Sequence, residues 1–150
     1  METVPKGVLP ESLVWMTPDR YAVAFWEAAA EHRLVVPRCT QCGRYRMPPS
    51  PYCWGCRSRD YELVDHDGGA TLYSFTVIRH GVIPDIRDVL PIIAGVADLD
   101  GTNVDGTGAA RLVASVADAE PENVHIGQRL RIDWYDVREG VAIPILRIAE

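Results

Sequence analysis

Two Cys-x-x-Cys pairs constrain this chain more than any other feature. Cys39 and Cys42 form the first, Cys53 and Cys56 the second, and ten residues separate them. A Cys-x-x-Cys turn aims two thiolates at one point, and two such turns on facing loops close a tetrahedral sulfur cage, the geometry of a structural Zn²⁺ site. Gly43, directly after the first pair, permits the tight turn that brings backbone N–H groups to sulfur, and Gly55 has a similar place inside the second. So short a segment has little core of its own, so ion binding must supply much of its folding energy. Four sulfur ligands leave no position open for water, which argues against a catalytic zinc. Iron in a rubredoxin-like site uses the same ligands, and the spacing does not choose between the two metals.

Disulfides are the competing use of four cysteines. The stretch Met1 to Lys6 has no apolar leader region, and no apolar run is long enough to span a bilayer. A cytoplasmic setting is therefore expected, and there metal is favoured over disulfides.

Charge is unevenly spread. From Arg33 to Arg59 there are six arginines (33, 38, 44, 46, 57 and 59) and no Asp or Glu, so this segment is formally +6 in a chain of net charge −6 and the remainder carries −12. A four-thiolate zinc site would offset about two of the positive charges. The arginines either neutralise the thiolates and solvate the module, or meet the phosphates of a ligand or an acidic partner. On these terms Arg44, Arg46, Arg57 and Arg59 are candidate contacts. An acidic chain is a poor general nucleic-acid binder.

The rest of the chain reads in two parts. Residues 1–16 show no period and read as an extended arm. Thr17-Pro18-Asp19 is a helix start, with Thr17 as cap, and predicts a helix from about Pro18 to His32. Its polar wedge is narrow (Arg20, Glu27, Glu31), and Phe25 and Trp26 point in well-separated directions. Either the arm and the metal module cover so wide an apolar arc, or one side, with Phe25 or Trp26 exposed, docks a partner. Leu34 to Pro37 is a short strand feeding the first knuckle, Met47 to Pro51 a rigid link, and Tyr61 to Val64 closes the ribbon. Five strands follow: Ala70 to His80, Leu90 to Leu99, Arg111 to Ala117, Arg129 to Asp136 and Val141 to Ile148. In the first, Tyr73, Phe75 and Val77 alternate onto one face. Asp100 to Gly108 is a polar loop expected to be mobile, and Pro144 argues for an edge or a bulge. The expected fold is mainly β: an arm and helix over residues 1–36, a rubredoxin-like zinc ribbon over 37–66, and a five-stranded closed barrel of the OB type over 67–150.

This order resembles the acyl-CoA-associated zinc-ribbon/OB-fold family catalogued as domain of unknown function 35. The resemblance rests on Phe25-Trp26, Leu34, Cys39-x-x-Cys42-Gly43, Pro48-Pro49 and Cys53-x-x-Cys56. It continues through Gly68-Gly69 before Thr71 to Val77, and Ile126-Gly127 before the fourth barrel strand. The family usually has Pro after the third cysteine and Gly after the fourth, where this chain has Trp54 and Arg57, which implies a looser second knuckle. It often has Gly at Ala70 and a shorter stretch at Asp100 to Gly108. The resemblance implies a helper subunit beside a thiolase-like protein that carries the chemistry. The settings it implies are an acyltransferase, a thiolase assembly, or a retro-aldol lyase acting on steroid side chains held as CoA thioesters. Such a subunit braces its partner in a hetero-oligomer and can border the CoA channel.

The residues agree with a helper. There is no Gly-x-Ser-x-Gly and no Gly-rich phosphate loop, and metal would occupy the thiols. Of the four histidines only His80, at a strand end beside Arg79, is a candidate contact with CoA or partner, and it reads most simply as an exposed strand-end residue. Two other classes stay open. Tyr73 and Phe75 could stack bases in a nucleic-acid-binding OB fold, and an iron-loaded ribbon could carry electrons.

Overall fold

The computed structural model describes residues 3–150; the first two residues of the expected arm lie outside them. Glu11–Leu13 forms a single 3₁₀ turn, and helix α1 spans Val23–Ala30. A two-stranded ribbon follows, β1 (Leu34–Cys39) with β2 (Tyr61–His66). Five strands then close a barrel in the order β3-β4-β5-β7-β6: β3 (Gly69–Ile78), β4 (Ile92–Leu99), β5 (Arg111–Val116), β6 (Arg129–Arg138) and β7 (Val141–Ile148). The fold is mainly β with one helix, a four-cysteine ribbon and a five-stranded OB-type barrel, as expected. Among the described residues no helix is long and apolar enough to cross a membrane.

The helix is shorter than its start signal predicts. Thr17 does not cap it, and the residue before the helix, Ala22, makes no side-chain cap; Asp19 instead closes a lead-in turn over Arg20 to Ala22, its Oδ1 accepting the amides of Tyr21 at 2.9 Å and Ala22 at 3.0 Å. The helix ends as a Schellman motif. His32 turns left-handed at φ 58, the Arg33 amide reaches the Ala28 carbonyl, and the His32 amide reaches that of Ala29.

The barrel departs from simple alternation once. A bulge in β3 between Leu72 and Ser74 adds one residue opposite β4. Leu72 therefore points inward, Tyr73 outward, and Phe75 and Val77 inward again against the core. Tyr73 and Phe75, expected on one face, lie on opposite sides, and the Arg111 guanidinium covers the Tyr73 ring at 3.6 Å. No shared stacking platform results. Gly95 of β4 makes the interior possible: a Cβ there would stand 2.8 Å from Leu146 Cδ1 and 2.9 Å from Val116 Cγ2. Pro144 sits in β7 just before its short parallel pairing with β5 at Ile145 and Leu146, where its missing N–H leaves no ladder bond unmade. The Asp100 to Gly108 loop folds on itself, with buried Thr102 donating to the Leu99 carbonyl at 2.7 Å and accepting from the Ala110 amide at 2.8 Å.

One hydrophobic cluster joins the parts. Phe25 of α1 and Leu34 and Val36 of β1 pack in the same buried group as Leu72, Ile93, Leu112, Leu130 and Leu146 of the barrel. The arm is stitched on at several points: Lys6 bonds Asp118 through its amide and Glu120 through its ammonium, Ser12 donates to Asp85 at 2.8 Å, and Arg138 donates to the Val14 carbonyl at 3.0 Å.

Candidate metal centre and its basic surround

Strand β1 ends on Cys39, so the ribbon delivers the first knuckle directly. The two knuckles are built alike. The Cys39 amide donates to the Arg44 carbonyl at 2.8 Å and the Gly43 amide to the Cys39 carbonyl at 2.9 Å; the Cys53 amide donates to the Ser58 carbonyl at 2.8 Å and the Arg57 amide to the Cys53 carbonyl at 2.9 Å. Gly43 has φ 79 and Arg57, its counterpart, φ 65. The missing glycine does not open the second knuckle: Arg57 adopts the left-handed conformation at a cost of about 1 kcal/mol.

The four Sγ atoms lie within 4.8 Å of one another, with Cys39 and Cys56 at 3.6 Å and Cys42 and Cys53 at 3.4 Å. A tetrahedral ion with metal–sulfur bonds of about 2.3 Å has sulfur–sulfur edges of about 3.8 Å, so the cage can hold such an ion with changes in sulfur–sulfur separation of about 1 Å or less. The set suits zinc and iron alike. Burial opposes ionisation of the Cys39 thiol, but the amides of Cys42 and Gln41 and the neighbouring thiols hold its pKa down at about 6. Burial likewise works against the Cys53 thiolate, and the amides of Cys56 and Gly55 prevail and lower its pKa. At Cys56 the Ser58 amide favours the thiolate, yet burial and the three other sulfurs push the pKa up to about 11. Part of the cage is thus anionic and part protonated, the condition under which a cation binds by displacing a proton.

The arginines divide by what they touch. Arg44 lies beside the cage: the neighbouring Cys42 sulfur raises its pKa, and its guanidinium stands 5.4 Å over the Trp54 ring. Trp54 is exposed and donates to the Tyr45 carbonyl at 3.0 Å. Arg46 overturns its expected role as a ligand or partner contact. It is 1% exposed, and its guanidinium donates to the carbonyls of Ser58 at 2.8 Å, Ser50 at 3.3 Å and Asp60 at 3.3 Å. It fastens the second knuckle to the first. Arg33 and Arg38 pair with carboxylates, at 2.8 Å to Asp65 and 3.2 Å to Glu62. Arg57 and Arg59 are exposed, and among the described residues neither has a carboxylate partner; Arg59 instead bonds the Tyr52 hydroxyl at 2.6 Å. His80 is exposed just beyond the end of β3.

Neither helix aromatic is largely exposed. Phe25 is a core residue at 4% exposure, which corrects its expected docking role. Trp26 is half-buried, edge-on to Phe25 with centroids 4.9 Å apart. The helix is only eight residues long and lies against β1 and β7, so its wide apolar arc is largely covered from within the chain. The exposed tryptophan that sequence reasoning passed over is Trp15 of the arm, at 82%. It sits in an apolar triplet, Leu13 to Trp15, the only signal that could have marked it.

Comparison with known proteins agrees with this architecture. The family model described as "ChsH2, rubredoxin-like zinc ribbon domain" matches residues 26–62, and "ChsH2, C-terminal OB-fold domain" matches residues 63–135. A protein of Thermomonospora curvata named "Probable enoyl-CoA hydratase alpha subunit" is 32% identical over 127 residues, which are 84% of this chain but 37% of that protein's length. A "DUF35 domain-containing scaffold protein" of Methanocaldococcus jannaschii is 24% identical, covering 83% of this chain and 84% of that protein. Among solved structures, a chain of the "Ltp2-ChsH2(DUF35) aldolase" superposes with a TM-score of 0.77 at 28% identity, over 91% of this chain and 100% of that one.

Proposed function

The chain belongs to the ChsH2 zinc-ribbon/OB-fold family, catalogued as domain of unknown function 35, and from that premise we propose that it is a non-catalytic subunit of an acyl-CoA-processing complex with a thiolase-like partner. The observation that carries this reading is its match to the whole of a chain from a two-component aldolase. The site chemistry supports it. Among the described residues the one cluster with metal-ligand geometry is the four-cysteine cage, which is closed and leaves no position for substrate. A zinc ion held by Cys39, Cys42, Cys53 and Cys56 would be structural; iron in the same ligands would be equally closed.

Retro-aldol cleavage is the favoured reaction of the complex. It requires a β-hydroxyacyl thioester, and adding water to an enoyl thioester makes one. A relative named as a hydratase subunit and a structural neighbour named as an aldolase fit two such successive steps. A steroid side chain held as its CoA thioester is the proposed substrate class. Arg57 and Arg59 are the ribbon guanidiniums left to meet CoA phosphates, with His80 a further contact to CoA or partner; Arg44 is engaged by the cage and Arg46 by carbonyls.

The test is turnover. The purified chain alone should cleave no β-hydroxyacyl-CoA, and activity should arise when a thiolase-like protein from the same genome is added. Sustained cleavage by the lone chain refutes the assignment.

A further inference from the structure

A group of exposed apolar side chains lies away from the cage, where the arm crosses the helix and the barrel wall. Trp15 is 82% exposed, Val113 of β5 66% and Val23 of α1 37%. Trp26 sits between them and borders three open concavities of about 580, 440 and 300 Å³. The first runs from Met16 past Val23 to Val141, the second from Phe25 past Met47 to Pro144, and the third from Leu13 past Val113 to Ile143. Trp15 is not a loose tail residue. Its indole N–H donates to the Ser12 carbonyl at 2.9 Å, Val14 beside it is buried, and the Val14 carbonyl accepts from Arg138 at 3.0 Å. A backbone fastened at Val14 therefore holds an exposed indole out into water, next to grooves bordered by a second tryptophan. Contiguous apolar surface of this kind marks an interaction site, and a pre-ordered tryptophan is the side chain that most often anchors one.

The border of the face selects the occupant. The charged residues lining the three concavities are Asp19, Glu27, Glu31 and Arg111. Asp98 neutralises Arg111 at 2.8 Å. Among the described residues the one cation paired with Glu31 is Arg33, at 3.4 Å, which it shares with a closer carboxylate, Asp65, at 2.8 Å. The rim is therefore acidic. A second copy docked by a twofold axis would set this rim against itself in a chain already at −6. A different protein, with lysines or arginines around an apolar ridge, matches it.

We propose that this face, formed by the arm, α1 and the outer sides of β5 and β7, is where the thiolase-like subunit docks, with Trp15 as its anchor. The inference rests on the function proposed above and names the surface that function needs. It moves the anchor from the helix aromatics to the arm, and it makes Trp26 a border of the receiving grooves.

The test titrates each thiolase-like protein encoded in the source genome against the wild-type chain, Trp15→Ala, Val113→Lys and Glu27→Lys, with the melting temperature and oligomeric state of each variant alongside. Trp15→Ala should weaken binding thirtyfold or more, while its melting stays within about 1 °C of wild type because the ring is so exposed. Val113→Lys should weaken binding at least tenfold, and it carries the same test if Trp15→Ala lowers the melting. Glu27→Lys should weaken binding severalfold, more at low salt than at high. Wild-type binding with Trp15→Ala and Val113→Lys both within threefold overturns this docking face and leaves the proposed function standing. Failure of the wild type to bind any thiolase-like protein overturns the function itself, and the face with it. A wild-type dimer that Trp15→Ala converts to monomer assigns the face to self-association and overturns the inference.

Discussion

Replacing Arg46 with Met tests whether the basic ribbon is built partly for its own architecture. Methionine keeps the apolar length of the side chain and removes every donor. The bond lost to the Ser58 carbonyl, at 2.8 Å, is the strong one; those to Ser50 and Asp60, both at 3.3 Å, are weaker. A hydrogen bond from a charged donor contributes about 1.5–3 kcal/mol, and a buried carbonyl left without a donor costs about 1–3 kcal/mol more. Two of the three carbonyls keep a backbone partner, Ser58 from the Cys53 amide and Asp60 from the Thr40 amide, so only that of Ser50 is orphaned. Against this, Arg46 Nε is already buried without a partner, and removing a buried charge recovers part of its desolvation cost. The balance is a loss of about 3 kcal/mol, which at 2–4 °C per kcal/mol is a fall in melting temperature of about 6–12 °C. Because Arg46 joins the segment carrying Cys53 and Cys56 to the first knuckle, the variant should also surrender its metal to a chelator faster than wild type. Differential scanning calorimetry and a chelator-release time course measure both. A variant that melts within about 2 °C of wild type, releases metal at the same rate and instead shows a raised KM for acyl-CoA in the assembled complex would refute the structural reading of Arg46.

Two further outcomes follow from single contacts. Arg57→Gly should relieve the left-handed strain at φ 65 and raise stability by up to about 1 kcal/mol, less the added freedom of the unfolded chain; in the complex, KM for acyl-CoA should rise while kcat holds. Arg147→Met should remove stability that depends on pH. The Arg147 guanidinium holds Asp118 below the usual carboxylate range, helped by the Lys6 amide; at Asp133 burial works the other way, and Arg147 and the Trp134 amide prevail and lower it too. Both folded values lie below the unfolded ones, so the unfolded chain takes up protons first as pH falls. The contribution is full at neutral pH and fades below about pH 4. With both carboxylates partly exposed it is worth about 1 kcal/mol at pH 7. Denaturant titrations should show wild type and variant separated at pH 7 and the gap narrowing as pH falls below about 4; a gap that stays constant as the carboxylates are protonated would exclude the ion pairs as its source.

What could be read beforehand follows the range of the forces involved. The sulfur cage shows in the sequence because ligand spacing is local: a Cys-x-x-Cys turn needs nothing from the rest of the chain. The barrel strands show because alternation is local as well. The β3 bulge does not, since an extra residue at Tyr73 exists only relative to β4, and one inserted position reversed the expected side of Tyr73 against Phe75. The tripeptide Thr17-Pro18-Asp19 marks the approach to the helix but not its first residue: Asp19 closes an irregular turn, and the helix proper begins only at Val23. Arg46 was indistinguishable from its neighbours. Nothing in an arginine-rich stretch says which guanidinium finds three carbonyls, because those carbonyls converge only when the knuckles close. Trp15 was hidden by the opposite problem: an arm without a period offers no face on which to judge exposure.

The shared core gives the helper reading its physical content. Phe25, Leu34 and Val36 bury themselves among barrel residues, so helix, ribbon and barrel stabilise one another. A metal that orders the knuckles therefore also steadies β1, and through it the underside of α1, whose other border is the groove lined by Trp26. On the proposed function, a closed four-sulfur site would act at a distance, without touching substrate. It would fix the orientation of the proposed docking surface, and a subunit whose task is to brace a catalytic partner needs a surface that does not deform when the partner's substrate enters or leaves. That requirement explains why a chain with no catalytic constellation among its described residues would keep four cysteines in tetrahedral register and bury an arginine to hold them there.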